Sequence, residues 1–180
     1  MSPVHCLKKQ HLLPVSLEEA WNFFANPANL SRLTPLHLNL KFTNELFGDT
    51  LYPGQIITYR VRPVAGIPVF WMTEITHVDR MKFFVDEQRK GPYALWHHQH
   101  HFKSIAGGVE MTDIIHYRIP FGPLGELGLP FIKKQLHQIF SYHGRYRTLS
   151  IEGIHKPAVS KSVDEHRDHG RNLFGPDRRI

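Results

Sequence analysis

The sequence of 180 residues predicts an α+β fold, a curved antiparallel sheet of about seven strands wrapped on a long C-terminal helix, with two short helices after the first strand. Three observations carry this. Ser16-Leu17-Glu18-Glu19 opens a helical stripe of apolar residues. From Lys41 to Pro120 the apolar period changes to two and is broken by Pro-Gly, Gly-Ile-Pro, Asp-Arg, Gly-Pro and Gly-Gly. After Pro130 the helical period returns and is sustained.

In chain order, a strand over about Lys8 to Pro14 leads to Ser16, which can cap a free backbone N–H while Glu19 reaches back. Leu17, Ala20, Trp21 and Phe24 then recur at three and four, and Asn26-Pro27 ends the helix. A second short helix over about Ala28 to Leu33 runs up to Thr34-Pro35. The meander follows with strands near Leu40 to Leu46, Gln55 to Arg62, Val69 to Val78, Lys82 to Gln88, Tyr93 to Ile105 and Val109 to Ile119. Phe121-Gly122-Pro123-Leu124-Gly125 reads as a turn. Pro130 suits a first helical position, and Leu129, Ile132, Leu136, Ile139, His143 and Tyr146 lie along one face of a helix running to around Ile151. Such a helix is about 30 Å long and crosses a curved sheet diagonally. Burial against the sheet accounts for its apolar stripe better than lying on a membrane surface, because the sheet needs a cover.

Composition narrows the class. One core is expected at this length, with residues 1–152 as the domain and residues 153–180 as a polar extension broken by Pro157, Gly170, Gly175 and Pro176. Cys6 is the single cysteine, so neither an internal disulfide nor a Cys-based zinc site can form. The N-terminus lacks secretory features, and no apolar run approaches the ~20 residues of a spanning helix, so a cytoplasmic protein without a membrane span is expected. The net charge of +6 and the pI near 9.5 permit attraction to anions. No recognition helix, zinc finger or RNA-binding aromatic motif accompanies them, so no nucleic-acid partner is expected.

The densest chemical signal is Trp96-His97-His98-Gln99-His100-His101-Phe102, four histidines in five residues. Gly107-Gly108 supplies the positive φ of a tight hairpin. If Ala106 pairs with Val109, Phe102 faces Asp113, His100 faces Ile115 and His98 faces Tyr117; a three-residue loop would shift that register. Alternation places Trp96, His98, His100 and Phe102 on one face with Asp113, Ile115 and Tyr117. His97, Gln99, His101 and Lys103 share the other face with Thr112, Ile114, His116 and Arg118. The aromatic-rich face should point inward. His98 and His100, at i and i+2, could hold zinc or iron with Asp113 on the diagonal, but an HxH pair is a weak signal. A hydrogen-bonded network of His98, His100, Asp113 and Tyr117 is the preferred reading, and neither metal nor cofactor is assigned.

The order of elements resembles the helix-grip fold of the START/Bet v 1-like (SRPBCC) superfamily over about residues 5 to 152. Leu13-Pro14-Val15-Ser16 through Ala20-Trp21-Asn22-Phe23-Phe24, with Asn26-Pro27-Ala28-Asn29-Leu30, is similar to that family's opening. Phe84-Val85-Asp86-Glu87-Gln88, Gly91-Pro92-Tyr93, Trp96-x-His98-x-His100-x-Phe102, Gly107-Gly108, Asp113 and Tyr117-x-x-Pro120 resemble a bacterial ligand-binding or polyketide cyclase-like subgroup. The resemblance implies a cavity for a small hydrophobic or lipid-like ligand between sheet and long helix. It also implies that Gln88 shares the side of His98 and His100. The expected ligand-binding set is therefore Gln88, Trp96, His98, His100, Phe102, Asp113 and Tyr117.

Two functions from different classes follow. One is a noncatalytic carrier or sensor of that ligand. The other is a cyclase or dehydratase in which His98 or His100 moves a proton, Asp113 orients it and Tyr117 holds a substrate oxygen. The carrier is preferred because the sequence carries no activated nucleophile, phosphate-cradling glycine loop or strong metal spacing. The extension reads first as a solvated tail, with contact in a homodimer as the alternative structural role.

Overall fold

Helix α1 (Leu17–Phe24) starts where the capping box places it. The Ser16 hydroxyl accepts from the Glu19 N–H at 3.2 Å, and Glu19 Oε2 accepts from the Ser16 N–H at 2.9 Å. The helix buries Ala20, Trp21, Phe23 and Phe24. The computed structural model describes residues 2–45, 48–64 and 66–143. A 3-10 turn at Pro27–Asn29, helix α2 (Leu30–Leu33) and a second 3-10 turn at Leu36–Leu38 follow.

Seven strands form one antiparallel, open curved sheet: β1 (His5–Leu13), β2 (Lys41–Phe42), β3 (Gln55–Val64), β4 (Ile67–Asp79), β5 (Phe83–Lys90), β6 (Leu95–Ile105) and β7 (Gly108–Arg118), in spatial order β1-β7-β6-β5-β4-β3-β2. Six sequential strands thus meander and β1 adds to the far edge beside β7. Strand β2 is shorter than its apolar pattern predicts. Asn44 instead binds the β3 backbone through its side chain, accepting from the Thr58 N–H at 2.8 Å and donating to the Ile56 carbonyl at 3.1 Å.

The β6–β7 register corrects the expected hairpin. Ile105 pairs with Gly108, so Ala106 and Gly107 form the turn; His100 faces Asp113, His98 faces Ile115 and Phe102 faces Met111. The two glycines do different jobs. Gly107, at φ +84°, supplies the left-handed residue of the turn, while Gly108, at φ +152°, lies so close to the Leu13 carbonyl that a Cβ would collide with it. The shift is two residues, an even number, and the assignment of side chains to faces survives it.

Where a turn was expected after β7, Gly122–Glu126 forms a short helix, α3, and α4 then runs over Leu129–His143. The expected continuation of α4 toward Ile151 and the extension 153–180 lie outside the described residues. Two apolar clusters pack on the concave face of the sheet. One gathers Trp21 and Phe24 with Phe84, Phe102 and Met111, and the other gathers Leu136 and Phe140 with Trp96, Ile115 and Tyr117.

Candidate functional site

Between those clusters the inward positions of three adjacent strands turn polar. Along β6 they read Trp96, His98, His100, Phe102; along β7, Met111, Asp113, Ile115, Tyr117; along β5, Phe84, Asp86, Gln88. Asp113 is 0% exposed, His98 5% and His100 9%. Burying such groups is tolerable only if they satisfy one another.

They do so by alternating charge. His98 directs Nδ1 to Asp86 Oδ1 at 3.2 Å and Nε2 to Asp113 Oδ1 at 3.2 Å. His100 directs Nε2 to the same Asp86 oxygen at 3.1 Å, and its Nδ1 lies 3.0 Å from the same Asp113 oxygen, close enough for an ion pair although off the line a hydrogen bond needs. Each imidazole therefore bridges two carboxylates. His11 on β1 adds a third ring, its Nε2 3.4 Å from Asp113 Oδ2.

Aromatic packing holds the rings in place. The imidazoles of His98 and His100 lie 3.7 Å apart between centroids. His100 stacks on Phe84 at 4.1 Å, and His98 meets Phe140 of α4 edge-on at 5.2 Å. Burial alone would depress His98, but the Asp86 charge and hydrogen bonds to Asp113 and Asp86 outweigh it, and its pKa is pushed up to about 9. Burial likewise opposes ionisation of both carboxyls. The His98 charge and bonds from both imidazoles hold Asp86 well below the usual carboxylate range, and the close approach of His100, His11 and His98 does the same for Asp113.

A pocket of about 440 Å³ opens beside this cluster, between the sheet, α2 and α4. Its wall is mainly aliphatic and aromatic, with Leu33, Ile57, Val61, Trp71, Leu136 and Phe140 among its members. Asp86, His98 and His100 face it, as do Thr73 and Tyr59, whose hydroxyl oxygens lie 3.3 Å apart. Burial pushes the Tyr59 phenol up, so it stays protonated as a donor.

Of the seven residues expected to bind ligand, Trp96, His98 and His100 line this pocket. The other four are placed differently. Phe102 lies under α1 against Trp21 and Phe24, with ring centroids at 5.5 and 5.9 Å. Asp113 stands behind the imidazoles. Tyr117 is covered by Tyr93 and His5. Gln88 shares the inward face but closes the β5–β6 turn, donating to the Tyr93 carbonyl at 2.7 Å and accepting from its N–H at 3.3 Å.

Asp86 is the site residue that sequence reasoning missed. It occupies the position opposite His98 that the consecutive polar triplet Asp86-Glu87-Gln88 left undecided. Alternation from Phe84 would have found it. Asp86, not Asp113, also completes the donor set: Asp86, His98 and His100 bring one potential metal-ligating atom each to within 4.8 Å of the others. On the opposite face Glu87, His97, Gln99 and His101 form a separate chain of contacts between 2.9 and 3.0 Å.

No family model matches the chain, and no curated protein matches it. Solved structures do. The Zhui aromatase/cyclase from Streptomyces sp. R1128 superposes with a TM-score of 0.64 at 9% identity, covering 81% of this chain and 92% of that one. The major latex-like protein 151 from Panax ginseng gives 0.55 at 13% identity, covering 81% and 98%. Ara h 8.0201 gives 0.56 at 14%, covering 81% and 98%. At these identities the likeness is one of fold, and the chain has the α+β helix-grip fold with an open, curved antiparallel sheet.

Proposed function

We propose that the chain binds a small hydrophobic or lipid-like molecule in the pocket between sheet and α4, with a polar end directed at Asp86, His98 and His100. The observation that carries this is the pocket's composition: about 440 Å³ of mainly apolar wall whose carboxylate and imidazole groups, Asp86, His98 and His100, are gathered in one cluster. Pockets of a few hundred Å³ with a few convergent polar groups suit ligands of drug-like size. Trp71 adds a further handle, since it lines the pocket and its indole N–H is buried without an acceptor among the described residues. Native mass spectrometry of freshly purified protein, with a thermal-shift screen of lipid-like compounds, tests the reading. A bound apolar molecule or a saturable stabilisation is expected; neither appearing would overturn it.

A second reading, a cyclase- or dehydratase-like enzyme, is favoured by one specific feature. Two oriented imidazoles and a carboxylate sit at the pocket wall, where a proton could pass between His98 or His100 and a bound carbonyl compound. Unchanged turnover of an identified substrate by His98→Ala and His100→Ala would dismiss it.

Residues 1–152 form the binding domain and residues 153–180 an appended polar tail; its alternative role, contact with a second copy, predicts that deletion after Gly153 lowers the oligomeric mass, and an unchanged mass counts against that alternative. Among the described residues no helix is long and apolar enough to cross a membrane. A cytoplasmic location fits the lone, exposed Cys6.

A further inference from the structure

We infer that Asp86, His98 and His100 form a binding site for a divalent transition-metal ion of the zinc, cobalt and iron class, with open coordination positions facing the pocket. This goes beyond binding of an apolar molecule and does not require it.

The cluster has two unlike sides. Asp113 is fully buried and is not part of the pocket wall, whereas Asp86 keeps 17% of its side-chain exposure and lines the pocket. The rear nitrogens, His98 Nε2 and His100 Nδ1, lie 3.2 and 3.0 Å from Asp113. The front nitrogens, His98 Nδ1 and His100 Nε2, both converge on Asp86 Oδ1. A metal-ligating histidine characteristically presents one ring nitrogen to the ion and hands the other N–H to a carboxylate, which fixes the tautomer and aims the ring. Here Asp113 serves His98 in that way through a hydrogen bond, and its charge stands 3.0 Å from the rear nitrogen of His100.

The spacing also fits. Bonds of about 2.0 to 2.2 Å to nitrogen and carboxylate oxygen place tetrahedral ligand atoms about 3.3 Å apart. Asp86 Oδ1 lies 3.2 and 3.1 Å from the two front nitrogens, and one donor atom from each residue lies within 4.8 Å of the others. Phe84 and Phe140 pack the rings into these orientations, so binding needs little reorganisation. Two imidazoles and one carboxylate suit zinc and iron and leave positions for water or a ligand's oxygen. The competing account is a closed ionic cluster with no ion.

The experiment uses the full chain without a polyhistidine tag, stripped with EDTA, dialysed, and titrated with Zn²⁺ by calorimetry and with Co²⁺ by visible absorption. The expected result is one ion per chain, ligand-field bands from cobalt, and a loss of at least 100-fold in affinity in Asp86→Asn and in His98→Ala. Asp113→Asn should weaken binding 10- to 100-fold. The outward variants His97→Ala and His101→Ala should bind like the parent. Circular dichroism confirms that each variant is folded, and the parent titration stands even if one is not. No binding by the folded parent would overturn the inference, as would binding that survives Asp86→Asn or disappears with the outward histidines. A native-state apolar ligand with silent metal titrations sinks the metal site alone. Metal binding with no apolar ligand sinks the carrier reading alone.

Discussion

Replacing Asp113 by asparagine should destabilise the metal-free protein by about 3 kcal/mol, because it removes one partner of a buried ion cluster and leaves the imidazoles facing a neutral group. The magnitude can be approached from the histidine side. The His98 pKa rises from 6.5 to about 9, and at about 1.4 kcal/mol per unit this represents roughly 3 kcal/mol of favourable interaction in the charged state, shared between Asp86 and Asp113. Asp113 also meets His100 and His11, and at 0% exposure none of these interactions is screened by solvent. In urea, with a slope near 2 kcal/mol per molar, the midpoint falls by about 1.5 M.

The pH dependence supplies the discriminating test. A histidine whose folded pKa lies above its unfolded value contributes fully below the unfolded value and loses that contribution as pH rises through the folded one. The window for His98 is therefore about pH 6.5 to 9. Parent and Asp113→Asn, compared in EDTA, should differ most near pH 6 and draw together by pH 10. The depressed carboxyls work in the opposite sense, giving stability above the unfolded carboxylate value near 3.9 that is lost as pH falls further. A variant within about 0.5 kcal/mol of the parent at pH 6, or a gap unchanged between pH 6 and 10, would refute the electrostatic account.

Ser16→Ala should cost about 1 kcal/mol by removing the α1 cap, measured by urea denaturation, with α1 amides exchanging faster. Gly108→Ala forces a Cβ against the Leu13 carbonyl at a left-handed φ and should cost about 2 kcal/mol, with loosened β1–β7 amides in hydrogen exchange. Gln88→Ala removes both bonds to the Tyr93 backbone, and the Gly91–Ala94 turn should become the first site of limited proteolysis, with about 1 kcal/mol lost in urea.

The elements were largely legible because each has a local cause. Ser16 and Glu19 mark the start of α1, and alternation from Trp96 to Phe102 separates inward from outward histidines whatever the turn. What escaped depended on neighbours remote in sequence. The hairpin register differs from the one the Gly107-Gly108 pair suggests because Gly108 is demanded by β1, through the Leu13 carbonyl, rather than by the turn. Three polar residues in succession carry no alternation of their own, so the direction of Asp86 comes only from its pairing with His98 across β5 and β6. Phe102 and Tyr117 are inward as expected, yet Trp21 and Phe24 cover one and Tyr93 and His5 the other. Only the packed helices and loops decide which inward residues reach the pocket.

The central claim, that this pocket takes a small apolar molecule with a polar end, is tested most directly by fluorescence titration with 1-anilinonaphthalene-8-sulfonate, an aromatic probe bearing one anionic group. The parent should bind about one equivalent with a blue-shifted, saturable signal, and Leu136→Trp, which grows into the pocket from α4, should abolish it while remaining folded. An absent signal in the parent, or one that Leu136→Trp leaves intact, would contradict the account.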